Sequence, residues 1–181
     1  MEAFDQGRRS LLLSGGVLGM SHMLPESMME AISRQGYVLG AEEGENLAHF
    51  RDHGRISIKT SAATGSDRFA LGTQQVMAGT GIPIHRHFEM DEAFYVLEGR
   101  GVFILNEVRH SFDKGATIFI PRGSWHGFEN PYHELLLLWM VSPAGLDGFF
   151  RETCNPPGVP AKELTREQIH AIARKYGTEF R

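Results

Sequence analysis

The segment 79–130 constrains the fold more than any other part of the chain, because it holds three histidines and a glutamate at spacings that suit a metal ion. Successive side chains of a strand point to opposite faces, so His85 and His87 face the same way. Glu92 opens the apolar strand that follows, and His126 comes after a turn that contains proline and glycine. Three imidazoles and one carboxylate suit a divalent transition metal such as iron, manganese, nickel, cobalt or zinc. We therefore predict one metal ion here, although each residue alone also fits an ordinary loop or strand end.

Glycines, a proline and an asparagine recur around these residues at two fixed sets of spacings. The first set is Gly79, His85, His87, Glu92 and Gly99, and the second is Gly115, Pro121, Gly123, His126 and Asn130. Both sets match the two motifs of the cupin family without departure, so the chain resembles a cupin. The resemblance implies an all-β fold with a single jelly-roll barrel and a metal ion held by His85, His87, Glu92 and His126. The local spacing of apolar, capping and glycine residues adds short flanking helices at both termini.

The length and composition are ordinary for a globular protein with a substantial core. The chain has 181 residues, of which 41% are hydrophobic and 22% are charged. Its net charge of -4 gives no reason to expect nucleic acid or an anionic membrane as a partner. The single cysteine, Cys154, excludes an internal disulfide framework.

We expect three regions: an N-terminal arm or signal over 1–35, the barrel over 36–145, and a C-terminal helical extension over 146–181 that packs on the barrel. Arg8 and Arg9, followed by an apolar run, resemble a twin-arginine export signal, which predicts a periplasmic protein. No small-x-small cleavage site follows. The alternative is a cytoplasmic protein whose arm docks on the barrel or on a second subunit. The run is too short to span a membrane, and the cupin resemblance implies a homodimer.

Short stretches with alternating or continuous apolar residues predict the remaining strands. One such strand is 37–39. Another, 134–141, is almost entirely apolar, which predicts burial of the whole strand. His49 and His53 lie in a polar stretch with glycine and are expected in solvent. The two-residue turn 106–107 lacks glycine, so the register of the strands that it joins stays open.

The barrel interior is expected to be apolar around one charged metal centre, which favours a flat or aromatic organic ligand. The candidate wall residues are Met77, Phe94, Phe119, Trp125, Phe128 and Trp139. Each of them alone also fits a plain core position. Trp125 is the strongest candidate because it directly precedes a predicted metal ligand.

The segment 141–152 resembles the end of the last strand in small bacterial cupins of the quercetinase-like group. That resemblance implies a metal-dependent dioxygenase acting on a small enolic or phenolic, flavonol-like compound, with this compound and dioxygen as partners. Glu92 is the predicted catalytic residue, because its free oxygen can accept a proton from an acidic hydroxyl. The alternative is a non-catalytic, metal-containing cupin that binds a small molecule. A weaker alternative is an isomerase or decarboxylase that uses the metal only as a Lewis acid.

Overall fold

The computed structural model describes residues 36–130 and 132–181. These residues form two antiparallel sheets and two short helices, which confirms the predicted all-β jelly-roll fold. The region 1–35 lies outside the described residues, and with it the twin-arginine-like segment and the predicted N-terminal helix.

Eleven strands follow one another along the described chain. They are β1 (Glu45–Ala48), β2 (Arg55–Thr60), β3 (Ala70–Val76), β4 (Thr80–His87), β5 (Asp91–Glu98), β6 (Arg100–Leu105), β7 (Val108–Asp113), β8 (Thr117–Ile120), β9 (His126–Asn130), β10 (Leu135–Ser142) and β11 (Thr178–Phe180). The larger sheet has the order β1-β2-β3-β10-β5-β8, and the smaller has the order β11-β4-β9-β6-β7. Strands adjacent in space are mostly distant in sequence, so the two sequence motifs contribute to both sheets.

Two helices follow the last long strand: α1 (Leu146–Thr153) and α2 (Arg166–Lys175). A capping box begins α2, since the side chains of Thr165 and Gln168 each accept a hydrogen bond from the other's main-chain N–H. Gly177, with φ of +69°, follows the end of the helix. Across the described ranges, neither helix has the length and apolar character that a membrane span needs.

Two strand predictions are wrong. Residues 37–39 form no strand; instead the Tyr37 hydroxyl donates to the main-chain oxygen of Lys59 at 3.0 Å, which ties an irregular segment to β2. The strand predicted to be buried throughout, β10, alternates between buried and partly exposed residues, and Met140 is 38% exposed. Because β10 lies between β3 and β5, its backbone is fully paired while only one of its faces meets the core.

The turn between β6 and β7 has two residues, Asn106 and Glu107, and pairs Leu105 with Val108. Both turn residues have positive φ, +45° and +72°, as a type I′ turn requires. Asparagine tolerates this conformation, whereas glutamate does not favour it because its Cβ crowds the backbone. The register between β6 and β7, which the sequence left open, is therefore set by a two-residue turn in which Glu107 is strained.

Replacing that strained residue by glycine is expected to stabilise the barrel. Glu107→Gly relieves a left-handed Cβ clash of about 1 kcal/mol but adds entropy to the unfolded chain, for a net gain of about 0.5 kcal/mol. Glu107→Ala keeps the Cβ and serves as the control. Urea unfolding curves measure both changes; a glycine variant no more stable than the alanine variant would contradict the strain.

Candidate metal centre

The structure brings the four predicted metal ligands together inside the barrel. His85 and His87 lie on β4, and His126 opens the neighbouring strand β9, directly opposite His85. Glu92 comes from β5 in the other sheet. All four side chains are buried. One possible ligand atom from each of them lies within 4.8 Å of those of the other three.

Backbone carbonyls set the tautomers of two of the imidazoles. His85 Nδ1 lies 2.8 Å from the oxygen of Pro83, and His126 Nδ1 lies 2.9 Å from the oxygen of Ser124. A carbonyl can only accept, so each Nδ1 carries the proton and each Nε2 keeps its lone pair. Partners of this kind on the far nitrogen are what orient metal-binding histidines.

The third imidazole is oriented by a residue that the sequence did not single out. Nδ1 of His87 lies 2.8 Å from Oγ1 of Thr178, which is positioned to accept a hydrogen bond from it. Thr178 opens β11 and pairs with His87 in the sheet. The three-residue strand β11 has no detectable period, so no pattern in the sequence predicted it.

The inward-facing atoms fit a bound cation. His126 Nε2 lies 2.9 Å from Glu92 Oε2, and His87 Nε2 lies 3.3 Å from the same oxygen. His87 Nε2 is buried and, within the described residues, makes no hydrogen bond. In the neutral form of each ring no hydrogen lies between these nitrogens and the carboxylate, so a divalent metal would take the place of the second proton that the contact otherwise needs.

The electrostatics of the cluster favour the protonation states that bind a metal. Burial alone would raise the pKa of Glu92, but the neighbouring imidazoles of His87 and His126 outweigh it and hold that pKa below its usual range. Burial, together with the other two imidazoles, lowers the pKa of His85 well below its usual value. A charged carboxylate and a neutral imidazole are the ligand forms that metals take.

A cavity of about 40 Å³ adjoins the four side chains. At roughly 10–15 Å³ per molecule, it has room for about three water-sized ligands. Of the six predicted wall residues, Phe94 and Trp139 line it. The indole N–H of Trp139 is buried and has no partner among the described residues.

The other four predicted wall residues, Met77, Phe119, Trp125 and Phe128, do not line this cavity. Phe119 is 61% exposed, because the alternation along β8 turns Ile120 inward and its neighbour outward. Met77 is 37% exposed beyond the end of β3.

Trp125 and Phe128 have other contacts. The guanidinium carbons of Arg86 and Arg181 each lie 4.6 Å from the centroid of the Trp125 ring. Phe128 packs in the core against Phe94 and Phe112.

Polar residues that the sequence did not assign to the site also line the cavity, among them His49, Arg51 and Gln74. His49 was expected in solvent but is only 2% exposed. Its Nδ1 lies 3.1 Å from Asp52 Oδ1, and the two side chains are buried together. The sequence feature that could have indicated this pair is the spacing of three residues between His49 and Asp52.

Asp52 connects the loop after β1 to the turn before β4 through hydrogen bonds. Its second oxygen lies 3.3 Å from the main-chain N of Met77 and 3.2 Å from Oγ1 of Thr80. Burial alone would raise the pKa of Asp52, but the hydrogen bond and charge of His49, with two main-chain N–H groups, lower that pKa from 3.8 to about 2. Ionised Asp52 therefore stabilises the fold.

Comparison with known proteins agrees with this geometry. Residues 72–142 match the protein family described as Cupin domain. An uncharacterized protein of Methanocaldococcus jannaschii is 35% identical over 65 residues, which are 33% of this chain and 52% of the relative. The chain thus spans about half the length of the curated relative that it matches.

Solved structures share the fold. KdgF from Halomonas sp. superposes with a TM-score of 0.56 and 17% identity, over 62% of this chain and 98% of KdgF. An RmlC-like cupin from Shewanella frigidimarina superposes with a TM-score of 0.54 and 18% sequence identity, over 62% of this chain and 96% of that cupin. The polyketide cyclase RemF from Streptomyces resistomycificus superposes with a TM-score of 0.53 and 22% sequence identity, over 75% of this chain and 92% of RemF. At these identities the likeness concerns the fold alone.

Removing one imidazole is expected to abolish metal binding while leaving the barrel folded. His85→Ala should reduce the metal content of purified protein from about one ion per chain to a small fraction of that, because a ligand from the centre of the cluster is lost. His110→Ala, at an exposed histidine on β7, is the matched control. Elemental analysis measures the content and circular dichroism the fold; unchanged metal content in His85→Ala would refute the ligand set.

The buried Asp52 predicts a pH-dependent contribution to stability. Because its pKa is lower in the folded protein than the usual 3.8, the stabilisation is complete above pH 3.8 and is lost as the pH falls through about 2. The difference in unfolding free energy between the wild type and Asp52→Asn should therefore shrink by about 1–2 kcal/mol from pH 5 to pH 2. Urea unfolding at several pH values tests this; a difference independent of pH would contradict it.

Proposed function

We propose that the protein is a metal-dependent dioxygenase acting on a small enolic or phenolic compound. The observation that carries the proposal is the cluster of three histidines and one glutamate, buried at the wall of a small and largely apolar cavity. A bound divalent metal would polarise a coordinated hydroxyl as a Lewis acid. Four protein ligands leave room in the coordination sphere of a metal that prefers six.

The chain's own residues hold this site rigid and keep bulk water out. Pro83, Ser124 and Thr178 fix the three imidazole rings through their Nδ1 atoms. Aromatic side chains on β5, β10 and α1 form much of the cavity wall. A charge is less screened in such surroundings than in water, so the polarising effect of a cation on a bound hydroxyl is stronger there.

Glu92 is suited to accept a proton. Its Oε2 faces His87 and His126, whereas Oε1 makes no hydrogen bond within the described residues. Its lowered pKa keeps the carboxylate ionised but makes it a weak base, so the second oxygen would take the proton only of an enol or phenol whose own pKa a bound cation lowers. The unpartnered indole N–H of Trp139 can donate to an oxygen of the bound ligand.

The sequence that resembles the quercetinase-like group has a role in this site. It covers the end of β10 and most of α1, over residues 141–152. Within it, Leu146, Phe149 and Phe150 line the cavity and are buried. The segment therefore shapes the space beside the metal ligands, which supports assignment to that group.

The size of the cavity favours a second candidate function. A volume of about 40 Å³ is far below the roughly 300–1,000 Å³ of typical organic ligand sites. A cupin that holds a metal with small ligands and performs no turnover also fits this volume. A Lewis-acid isomerase or decarboxylase would use the same ligands without dioxygen.

Oxygen uptake distinguishes these functions. Purified chain is loaded separately with each candidate divalent metal and supplied with flavonols, simple phenols and enediols. We expect uptake with at least one pair of metal and substrate, and its loss in His126→Ala but not in His110→Ala. Binding of a compound without uptake under every metal would favour the non-catalytic cupin. Conversion without uptake would favour the Lewis-acid enzyme.

A further inference from the structure

A second cavity, which we name the outer pocket, opens on the surface beside the metal centre and encloses about 390 Å³. Half of its eight lining residues are basic: Arg51, Arg166, His170 and Arg181. The other half are apolar: Phe50, Pro83, Ile169 and Phe180. Among the described residues that line it, none is acidic. The volume lies within the range of organic ligand sites, and the lining suits an apolar molecule with a negative charge.

Phe180 separates the outer pocket from the metal centre. Its ring centroid lies 5.4 Å from that of His85 on one side and 5.6 Å from that of His170 on the other. Phe180 and Arg51 line both the outer pocket and the inner cavity, which is the cavity of about 40 Å³ beside the four candidate metal ligands. A ligand in the outer pocket therefore lies one side chain away from a metal-ligand histidine.

Arg51 carries a half-buried positive charge whose partners are neutral. Its guanidinium donates to the main-chain oxygen of Gly81 and to Nε2 of His49, the latter at 3.3 Å. Within the described ranges it forms no ion pair with a carboxylate. The adjacent Asp52 directs its oxygens to His49 and to the neighbouring main chain and threonine. Asp52 partly offsets the charge of Arg51 without contacting its guanidinium, and a buried charge without a direct ion pair is unfavourable, so an anion in the outer pocket would stabilise Arg51.

The other two arginines of the outer pocket have partners of their own. Arg166 donates to the main-chain oxygen of Arg181 at 3.0 Å. Arg181 lies 3.4 Å from Glu107 and stacks on Trp125. Their charges still add to the positive potential of the pocket, while Arg51 lies nearest to the metal centre, since it is the arginine that also lines the inner cavity.

We infer that the outer pocket binds a small organic carboxylate, which pairs with Arg51 and packs its apolar body against Phe50 and Phe180. This inference rests on the proposed function where it names that carboxylate as the substrate class of the metal centre. The carboxylate end pairs with Arg51 and the hydroxyl points toward Phe180, whose ring must turn aside for that hydroxyl to reach the metal ligands behind it. The substrate class is thus narrowed to enolic or phenolic acids.

Benzoate and its neutral analogue benzamide test the pocket by calorimetric titration of the full chain. The protein is first depleted of metal, with elemental analysis as proof, so that a carboxylate cannot bind to the metal instead. The variants are Arg51→Gln, Arg51→Lys and Arg166→Gln. Arg68→Gln is the matched control, because it removes one positive charge from a side chain that is 91% exposed elsewhere.

We expect benzoate to bind the wild type more tightly than benzamide does. Arg51→Gln should weaken benzoate binding on the order of tenfold or more and leave benzamide binding nearly unchanged, since a charge-assisted hydrogen bond is lost. Arg51→Lys should keep part of the preference because it keeps the charge. Arg166→Gln should weaken benzoate binding by a smaller factor, and Arg68→Gln should leave it unchanged.

Three results would overturn the inference: no benzoate binding by the wild type, equal binding of benzoate and benzamide, or equal effects of Arg166→Gln and Arg68→Gln on benzoate. The last comparison remains decisive if Arg51→Gln does not fold, because Arg166 is an exposed residue on α2. The titration needs no turnover. Absence of oxygen uptake with intact benzoate binding would reject the dioxygenase and leave the outer pocket in place.

Discussion

Imidazole nitrogens that meet a carboxylate in a buried space, with need of a proton or a cation between them, are the constraint on which the site depends. Carbonyl oxygens hold the protons of His85 and His126 on Nδ1, and burial disfavours a second proton on His85. The Nε2 atoms are left facing the Glu92 carboxylate at the centre of the barrel. Two sheets, each satisfied in its own hydrogen bonds, hold these atoms together, and a bound cation would relieve their repulsion.

The fold and the metal-ligand candidates were predictable because both arise from local rules. The period of two residues along a strand places His85 and His87 on one face, and the two motifs match the cupin pattern without departure. The glycines with positive φ in those motifs, Gly79, Gly99, Gly115 and Gly123, occupy turns that connect the strands. Such features need no knowledge of distant contacts.

The remainder of the site could not be predicted, since it depends on packing between segments far apart in sequence. His49 and Arg51 belong to an irregular loop, and they reach the cavity only because Asp52 binds that loop to Met77 and Thr80. The wall prediction placed Phe119 inside because it is large and apolar. Strand β8 is an edge strand, and its alternation favours Ile120 as the inward residue instead.

The contact between Thr178 and His87 joins residues 91 positions apart. During synthesis on the ribosome, which proceeds from the N-terminus, both motifs are complete long before β11 exists. The third imidazole then lacks its orienting hydroxyl, and the side of the cavity occupied by Phe180 is open to solvent. The full affinity of the cluster for a metal ion is therefore expected only after translation has passed residue 180.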